Sequence, residues 1–226
     1  MTVPRHIGFI MDGNRRWARE HDVTPLQGHY AGYQKVLEVA QWCADAGIEV
    51  VSLYAFSKEN WGRSQREVGY LLRLFEQALT RHRAEFVEKG IRVLVSGSAD
   101  GLSPAVVRLL KKIQDDTARN TALTVNFCFN YSGRDELVHA VRRMIRDGVR
   151  PAAVSEKSIA KNLFQQLPDP DLIVRTSGEQ RLSNFLLWQC AYAELLFVKK
   201  YWPALTKSDF KNMLSEYAAR KRRFGV

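Results

Sequence analysis

Residues 8–17, Gly-Phe-Ile-Met-Asp-Gly-Asn-Arg-Arg-Trp, decide how this chain is read. A short apolar run that stops at an acid and a glycine is a buried strand delivering its last side chains to the C-terminal edge of a sheet, where open α/β folds hold their ligands. Asp12 then faces a crevice. Gly13 lets the backbone turn tightly, and Arg15 and Arg16 fall in the next turn, beside helix N–H groups that favour anions. The combination points to a phosphate site. A carboxylate beside phosphate-binding groups suits a hard divalent cation such as Mg²⁺, which bridges to phosphate oxygens. The same residues also fit a plainer reading, with Asp12 as a helix N-cap and the arginines in a solvated first turn.

Outward from this stretch, strand and helix patterns alternate. The spacing predicts a helix over residues 28–46 ending at Gly47, a buried strand over 48–56, and a long helix opened by a Ser64–Glu67 capping box and closed by Gly90. A strand over 91–96, a helix from Ser103-Pro104, a β-branched and aromatic strand over 121–129 and a helix to about Asp147 follow. Ser155 caps a short helix, 171–175 and 193–198 read as strands, and Thr206 caps a terminal helix. Six strands separated by helices predict a single α/β domain over residues 1–226: a mainly parallel six-stranded open sheet flanked by helices.

Four strand exits carry polar clusters: Asp12/Asn14/Arg16, Ser57/Glu59/Asn60/Arg63, Asn130/Arg134 and Arg175/Arg181/Ser183. Parallel strands bring their exits to one rim. Arginines around one or two acids, with neither a Ser-His-Asp nor a Cys-His set, point to diphosphate binding with chemistry driven by metal and electrostatics. No Walker loop and no Gly-x-Gly-x-x-Gly is present, so the common nucleotide folds lack support. The net charge of +10 calls for an anionic partner without choosing one. The basic run Arg220 to Arg223 has no aromatic interleaving, which argues against nucleic acid. Three cysteines, Cys43, Cys128 and Cys190, fall far apart in apolar runs, as reduced buried thiols do. With no leader and no apolar run near the roughly 20 residues of a membrane span, the expected setting is cytoplasmic.

The blocks Met11-Asp12-Gly13-Asn14-Arg15-Arg16-Trp17, Gly28-His29-x-x-Gly32, Tyr54-Ala55-Phe56-Ser57-x-Glu59-Asn60-Trp61, Asn130-Tyr131-x-Gly133-Arg134 and the stretch from Asp169 through Arg175, Arg181, Ser183 and Asn184 to Tyr192-Ala193-Glu194 resemble the cis-prenyltransferases, the undecaprenyl diphosphate synthase family. The resemblance implies a Mg²⁺-dependent transferase, a homodimer that condenses isopentenyl diphosphate with an allylic diphosphate. It implies Asp12 and Asn60 as catalytic residues, Asp12 and Glu194 as metal ligands, and Gly13, Asn14, Arg15, Arg16, Trp17 and His29 at the allylic diphosphate. Ser57, Glu59, Trp61 and Arg63 fall beside Asn60. Arg175, Arg181 and Ser183 would hold isopentenyl diphosphate, with Arg223 and Gly225 contributing from the chain or a partner subunit. A peripheral membrane contact would serve product release.

The resemblance also leaves other roles open: a specialised relative using short prenyl units or a non-standard acceptor, or a non-catalytic partner subunit. One departure stands out. Where the family usually carries an arginine directed at the allylic diphosphate, this chain has Pro25. An elongating tail further implies an apolar tunnel, for which Ala55, Val68, Leu71, Leu72, Phe75, Leu109 and Phe129 are candidates.

Overall fold

β1 (His6–Ile10) is buried along its whole length, and a strand with no polar alternation needs partners on both edges and cover on both faces. It has both. In the computed structural model, which describes residues 2–220, β1 pairs in parallel with β2 (Val50–Ser57) on one side and β5 (Leu172–Arg175) on the other. With β3 (Ile91–Ser96), β4 (Leu123–Tyr131) and β6 (Glu194–Phe197), the six strands lie in the order β3-β4-β2-β1-β5-β6, every pair parallel. The predicted mainly parallel six-stranded sheet is therefore present, and wholly parallel.

Strand period divides the core. Ile7 and Phe9 of β1 and Leu172 and Val174 of β5 join one apolar cluster, while Ile10 and Ile173 join a second with Tyr131, Phe185 and Leu186. A polar chain runs through the sheet as well. His6 Nε2 lies 2.9 Å from Ser52 Oγ, which accepts from Asn126 Nδ2 at 3.0 Å, and Ser96 Oγ donates to Asn126 Oδ1 at 2.8 Å.

The helices are α1 (Asn14–Glu20), α2 (Pro25–Asp45), α3 (Gln65–Glu88), α4 (Pro104–Asp116), α5 (Gly133–Arg146), α6 (Glu156–Asn162) and α7 (Lys207–Ala219). α2 starts before the expected Gly28, because Thr24 and Gln27 form a reciprocal capping box with Pro25 in the first turn. At α3 only half of the expected box exists. Ser64 Oγ accepts from the Glu67 N–H, but the Glu67 carboxylate is spent on His29 and Arg63. β2 and β4 start two residues later than expected and run on through Ser57 and Tyr131. α1 packs tightly on α2, where a side chain on Gly28 or Gly32 would collide with Asn14.

Candidate active site

Strand order reverses beside β1: β2 follows on one edge, and β5 and β6 are added later on the other. Parallel sheets bind ligands at such a reversal, outside the carboxyl ends of the strands. Asp12 and Arg175 leave the sheet at this point. The Asp12 N–H donates to Thr176 Oγ1 at 2.9 Å, and the Thr176 hydroxyl donates to the Asp12 carbonyl at 2.6 Å, so the exits of β1 and β5 are buttoned together. Gly13 then turns the chain at φ 105° and is itself the cap position of α1, with no side-chain cap. The plainer reading of Asp12 as N-cap is thereby replaced.

The Asp12 carboxylate faces cations. Arg175 Nη2 donates to its Oδ2 at 2.9 Å, Arg16 Nη2 lies 3.3 Å from Oδ1, and the Gly13 N–H donates to Oδ1 at 2.7 Å. Burial works to raise the Asp12 pKa, but the Arg175 hydrogen bond and charge, the Gly13 N–H and Arg16 outweigh it and hold the carboxyl below its usual range. Behind it Arg175 is buried and donates through Nη1 to Ser183 Oγ at 2.7 Å and to the Arg181 carbonyl. Its Nε has no protein partner. Glu179 joins the two sides, 2.9 Å from Arg16 Nη1 and 2.6 Å from Arg181 Nη1. Thr176 and Glu179 were not singled out from sequence, although both stand in the polar exit after β5.

In front of Asp12 opens a cavity of about 980 Å³. Asp12, Gly13, Asn14, Arg15, Arg16, His29, Asn60 and Arg63 line it, and Arg19 and Pro25 join them. Apolar Ala55, Leu71, Phe75, Leu79, Phe127 and Phe129 line the remainder, under α2 and α3. Of the tunnel candidates, Val68 and Leu72 pack behind this wall with Phe56 and Phe129, and Leu109 packs against the main core. Ala55 sits where the β2–β4 register slips, an irregularity of the kind that re-aims side chains beside active sites.

Asn60 is held with its amide oxygen turned inward. The Ser57 N–H donates to Asn60 Oδ1 at 3.1 Å, which leaves the side-chain NH₂ as the free end. Asn60 therefore offers a donor to the cavity and no base. His29 Nε2 lies 3.0 Å from Glu67 Oε1, and Arg63 Nη1 lies 3.1 Å from the same oxygen. Burial is the main reason the His29 pKa is lowered, with Arg63 adding to it against the pull of Glu67. At neutral pH the ring is uncharged, its Nε2–H donated to Glu67.

Several predicted residues stand outside the cavity lining. Trp17 stacks on His21, and Trp61 donates through Nε1 to Asn130 Oδ1 at 2.7 Å and meets Phe56 edge-on. Glu59 accepts from Asn184 Nδ2 at 2.9 Å, and Ser57 is the cap of the turn that carries Asn60. These four shape the rim by packing and capping and do not line the cavity. Glu194 is the clearest correction. It opens β6 level with Leu172 and Ile7, at the amino end of the strands, and pairs with Arg220 at 3.0 Å. Asp12 lies beyond the carboxyl end of β1, roughly 16 Å away along the strand direction at 3.3 Å per residue. Within one chain, the expected Asp12–Glu194 pair is not assembled. Arg223 and Gly225 lie outside the described residues.

A half-buried acid clamped by arginines at the mouth of an apolar cavity is a site for an anionic head with a hydrocarbon tail. The family model described as undecaprenyl diphosphate synthase matches residues 10–225. The chain belongs to this family. It is 42% identical to an isoprenyl transferase of Bacillus thuringiensis subsp. konkukian, over 99% of this chain and 88% of that one. It is 38% identical to the ditrans,polycis-undecaprenyl-diphosphate synthase ((2E,6E)-farnesyl-diphosphate specific) of Micrococcus luteus, over 99% and 92%. Among solved structures, lavandulyl diphosphate synthase from Lavandula x intermedia, in complex with dimethylallyl diphosphate, superposes with a TM-score of 0.94 at 30% identity, covering 99% of each chain. As a member of this prenyltransferase family the protein is an enzyme that transfers prenyl groups. No helix among the described residues is long and apolar enough to cross a membrane.

Proposed function

We propose that this prenyltransferase condenses isopentenyl diphosphate with an allylic diphosphate, forming a Z-prenyl diphosphate and releasing diphosphate. The observation that carries the reading is the ionised Asp12 between Arg16 and Arg175, at the open end of a cavity whose walls turn from arginine to aromatic and aliphatic. The allylic head lies against Arg15, Arg16, Arg19 and the α1 N–H groups, with its tail in the cavity. Arg175, Arg181 and Ser183 receive the second diphosphate on the other side of Asp12. The π electrons of isopentenyl diphosphate form the new bond to allylic C1 as the C1–O bond breaks, and the leaving diphosphate takes that bond's electron pair. A proton is then lost and the new double bond forms. Asn60 presents only N–H donors, so it orients a diphosphate oxygen or water that accepts this proton. Arginine forks stabilise the departing diphosphate more in the transition state than in the ground state.

The residues present fit Mg²⁺. Asp12 is a hard, ionised oxygen donor at the mouth of the cavity, the kind of ligand this cation takes. Among the described residues no group of three or more His, Cys, Asp or Glu could hold a metal ion unaided, so Asp12 would hold it together with substrate oxygens. Bound there, the cation would neutralise charge that develops on the leaving diphosphate. A homodimer is supported by α5, which exposes Val138, Val141 and Ile145 along one side. Three free, buried cysteines suit a reducing, cytoplasmic setting.

The deciding experiment incubates the protein and Mg²⁺ with radiolabelled isopentenyl diphosphate and allylic diphosphates of several lengths, then sizes the products. Labelled Z-prenyl diphosphates longer than the primer are expected. Their absence with every primer would overturn the reading.

A further inference from the structure

The apolar cavity contains one polar feature that the chemistry at its mouth does not use. Tyr33, one turn beyond His29 on α2, and His82, near the C-terminal end of α3, both line it, and Tyr33 Oη meets His82 Nε2 at 2.5 Å. His82 Nδ1 lies 2.7 Å from Glu85 Oε2. Because the carboxylate only accepts, Nδ1 carries the imidazole proton and Nε2 accepts from the Tyr33 hydroxyl. Desolvation raises the Tyr33 pKa, which keeps that hydroxyl protonated. The rings are braced on both sides, Tyr33 by Tyr30 at 5.7 Å and His82 by Phe86 at 6.4 Å between centroids.

The placement matters as much as the bond. α2 and α3 are already tied at the mouth by His29 and Glu67. His82 stands fifteen residues further along α3 than Glu67, roughly 22 Å at 1.5 Å per residue. Two polar ties thus join the helices, one at the diphosphate end and one further in, a single turn along α2 and about four turns along α3, with Leu71, Leu74, Phe75 and Ala78 of α3 between them facing the cavity.

We propose that the Tyr33–His82 pair is a crossbar that spans the cavity between its mouth and the innermost lining of Val36, Leu37 and Phe86, and sets the longest tail the enzyme accommodates. The proposal rests on the reading of this cavity as the site of a growing prenyl tail. A hydrocarbon chain makes dispersion contacts with Leu71, Phe75 and Phe129 but can replace neither half of the hydrogen bond. Pushing between the two half-buried rings leaves a phenol hydroxyl and an imidazole nitrogen facing hydrocarbon, where unpaired polar groups are unfavourable. The pair therefore resists a tail as a locked wall does, whereas an apolar pair would slide into other rotamers. Its role is specificity, by position and bonding, and no reacting atom touches it.

The test measures binding of saturated n-alkyl diphosphates of increasing length to the wild type, Tyr33→Ala and His82→Ala, by calorimetry, with melting curves recorded alongside. Affinity should rise about fourfold per added methylene while the tail is being buried. In the wild type the rise should stop at a definite length. In either variant it should continue for at least four further carbons, and the longest product from isopentenyl diphosphate should gain at least one five-carbon unit. Removing either partner opens the bar, so one folded variant suffices. A plateau at the same length in the wild type and every folded variant would overturn the proposal, including the case where the melting temperature falls and the pair proves only a structural tie. The alkyl series needs no turnover, so failure of the crossbar and failure of the proposed reaction are read separately.

Discussion

At the scale of the residue, Asp12 carries a structural burden beside the role proposed for it. Its carboxylate partners Arg175, whose side chain is only 5% exposed. Removing the acid altogether leaves that guanidinium with one fewer acceptor inside the protein, at a cost of about 1–3 kcal/mol. Asp12→Ala should therefore lose both activity and several degrees of melting temperature, at roughly 2–4 °C per kcal/mol for a chain of this size. Asp12→Asn keeps an oxygen for the Gly13 N–H or Arg175 while giving up the negative charge. It should melt close to the wild type and still lose at least about 100-fold in kcat under saturating Mg²⁺. Steady-state rates and thermal melts of both variants check this, and an Asn variant with near-normal kcat would remove the metal-linked role. Sequence alone pointed to Asp12 because acid, glycine and arginines are adjacent there. It could not show the Thr176 button or the Glu179 bridge, since those depend on which strand lies beside β1.

At the scale of the element, α1 and the start of α2 form one side of the cavity mouth. Pro25 occupies the first turn of α2, prepared by the Thr24–Gln27 box, and faces the cavity without a guanidinium. Arg19, in the last turn of α1, lines the same cavity, and no ion pair ties it up among the described residues. Arg19 is thus placed to supply the contact that Pro25 lacks. A charge-assisted hydrogen bond is worth roughly 1.5–3 kcal/mol, so Arg19→Ala should raise the allylic KM about tenfold or more. The isopentenyl KM should stay nearly unchanged, because Arg175 and Arg181 stand on the other side of Asp12. Adding Pro25→Arg to that variant should restore part of the loss, and the melting temperature will show whether the capping box survived. An allylic KM that ignores Arg19→Ala would place the burden on Arg15 and Arg16 alone. The same elements show what was legible. Caps written in adjacent residues, at Ser103, Ser155 and Thr206, were read correctly. Glu194 came from the resemblance alone; it opens β6, and a parallel sheet puts a strand's first residue at the edge opposite the exit that carries Asp12, so the two do not meet within one chain.

At the scale of the whole molecule, alternating strand and helix patterns were enough to read a parallel sheet whose exits share a rim. The polar chain crossing its middle was not legible, because His6, Ser52, Ser96 and Asn126 belong to four separate strands. His6 is 2% exposed and uncharged, with Nδ1 2.6 Å from the Pro168 carbonyl and Nε2 2.9 Å from Ser52 Oγ. With Nδ1–H donated to the carbonyl, Nε2 accepts from the Ser52 hydroxyl. Desolvation lowers its pKa from 6.5 to about 4, against the smaller raising effects of Pro168 and Asp171. Because the folded pKa lies below the unfolded one, the unfolded chain binds the extra proton between these values. Stability from neutral His6 is therefore complete above pH 6.5 and is lost as pH falls toward about 4. Between pH 7.5 and pH 5 the loss should be about 2 kcal/mol, at 1.36 kcal/mol per pKa unit. His6→Asn keeps a donor for Pro168 and removes the titration, so it should be less stable than the wild type at pH 7.5 yet lose about 2 kcal/mol less on going to pH 5. Denaturant melts of both proteins at the two pH values isolate this difference, since His29 and the carboxylates titrate alike in each. Equal losses in the two proteins would mean that His6 is already protonated, or exposed to water, in the folded state at pH 5, and that the polar chain opens before the sheet does.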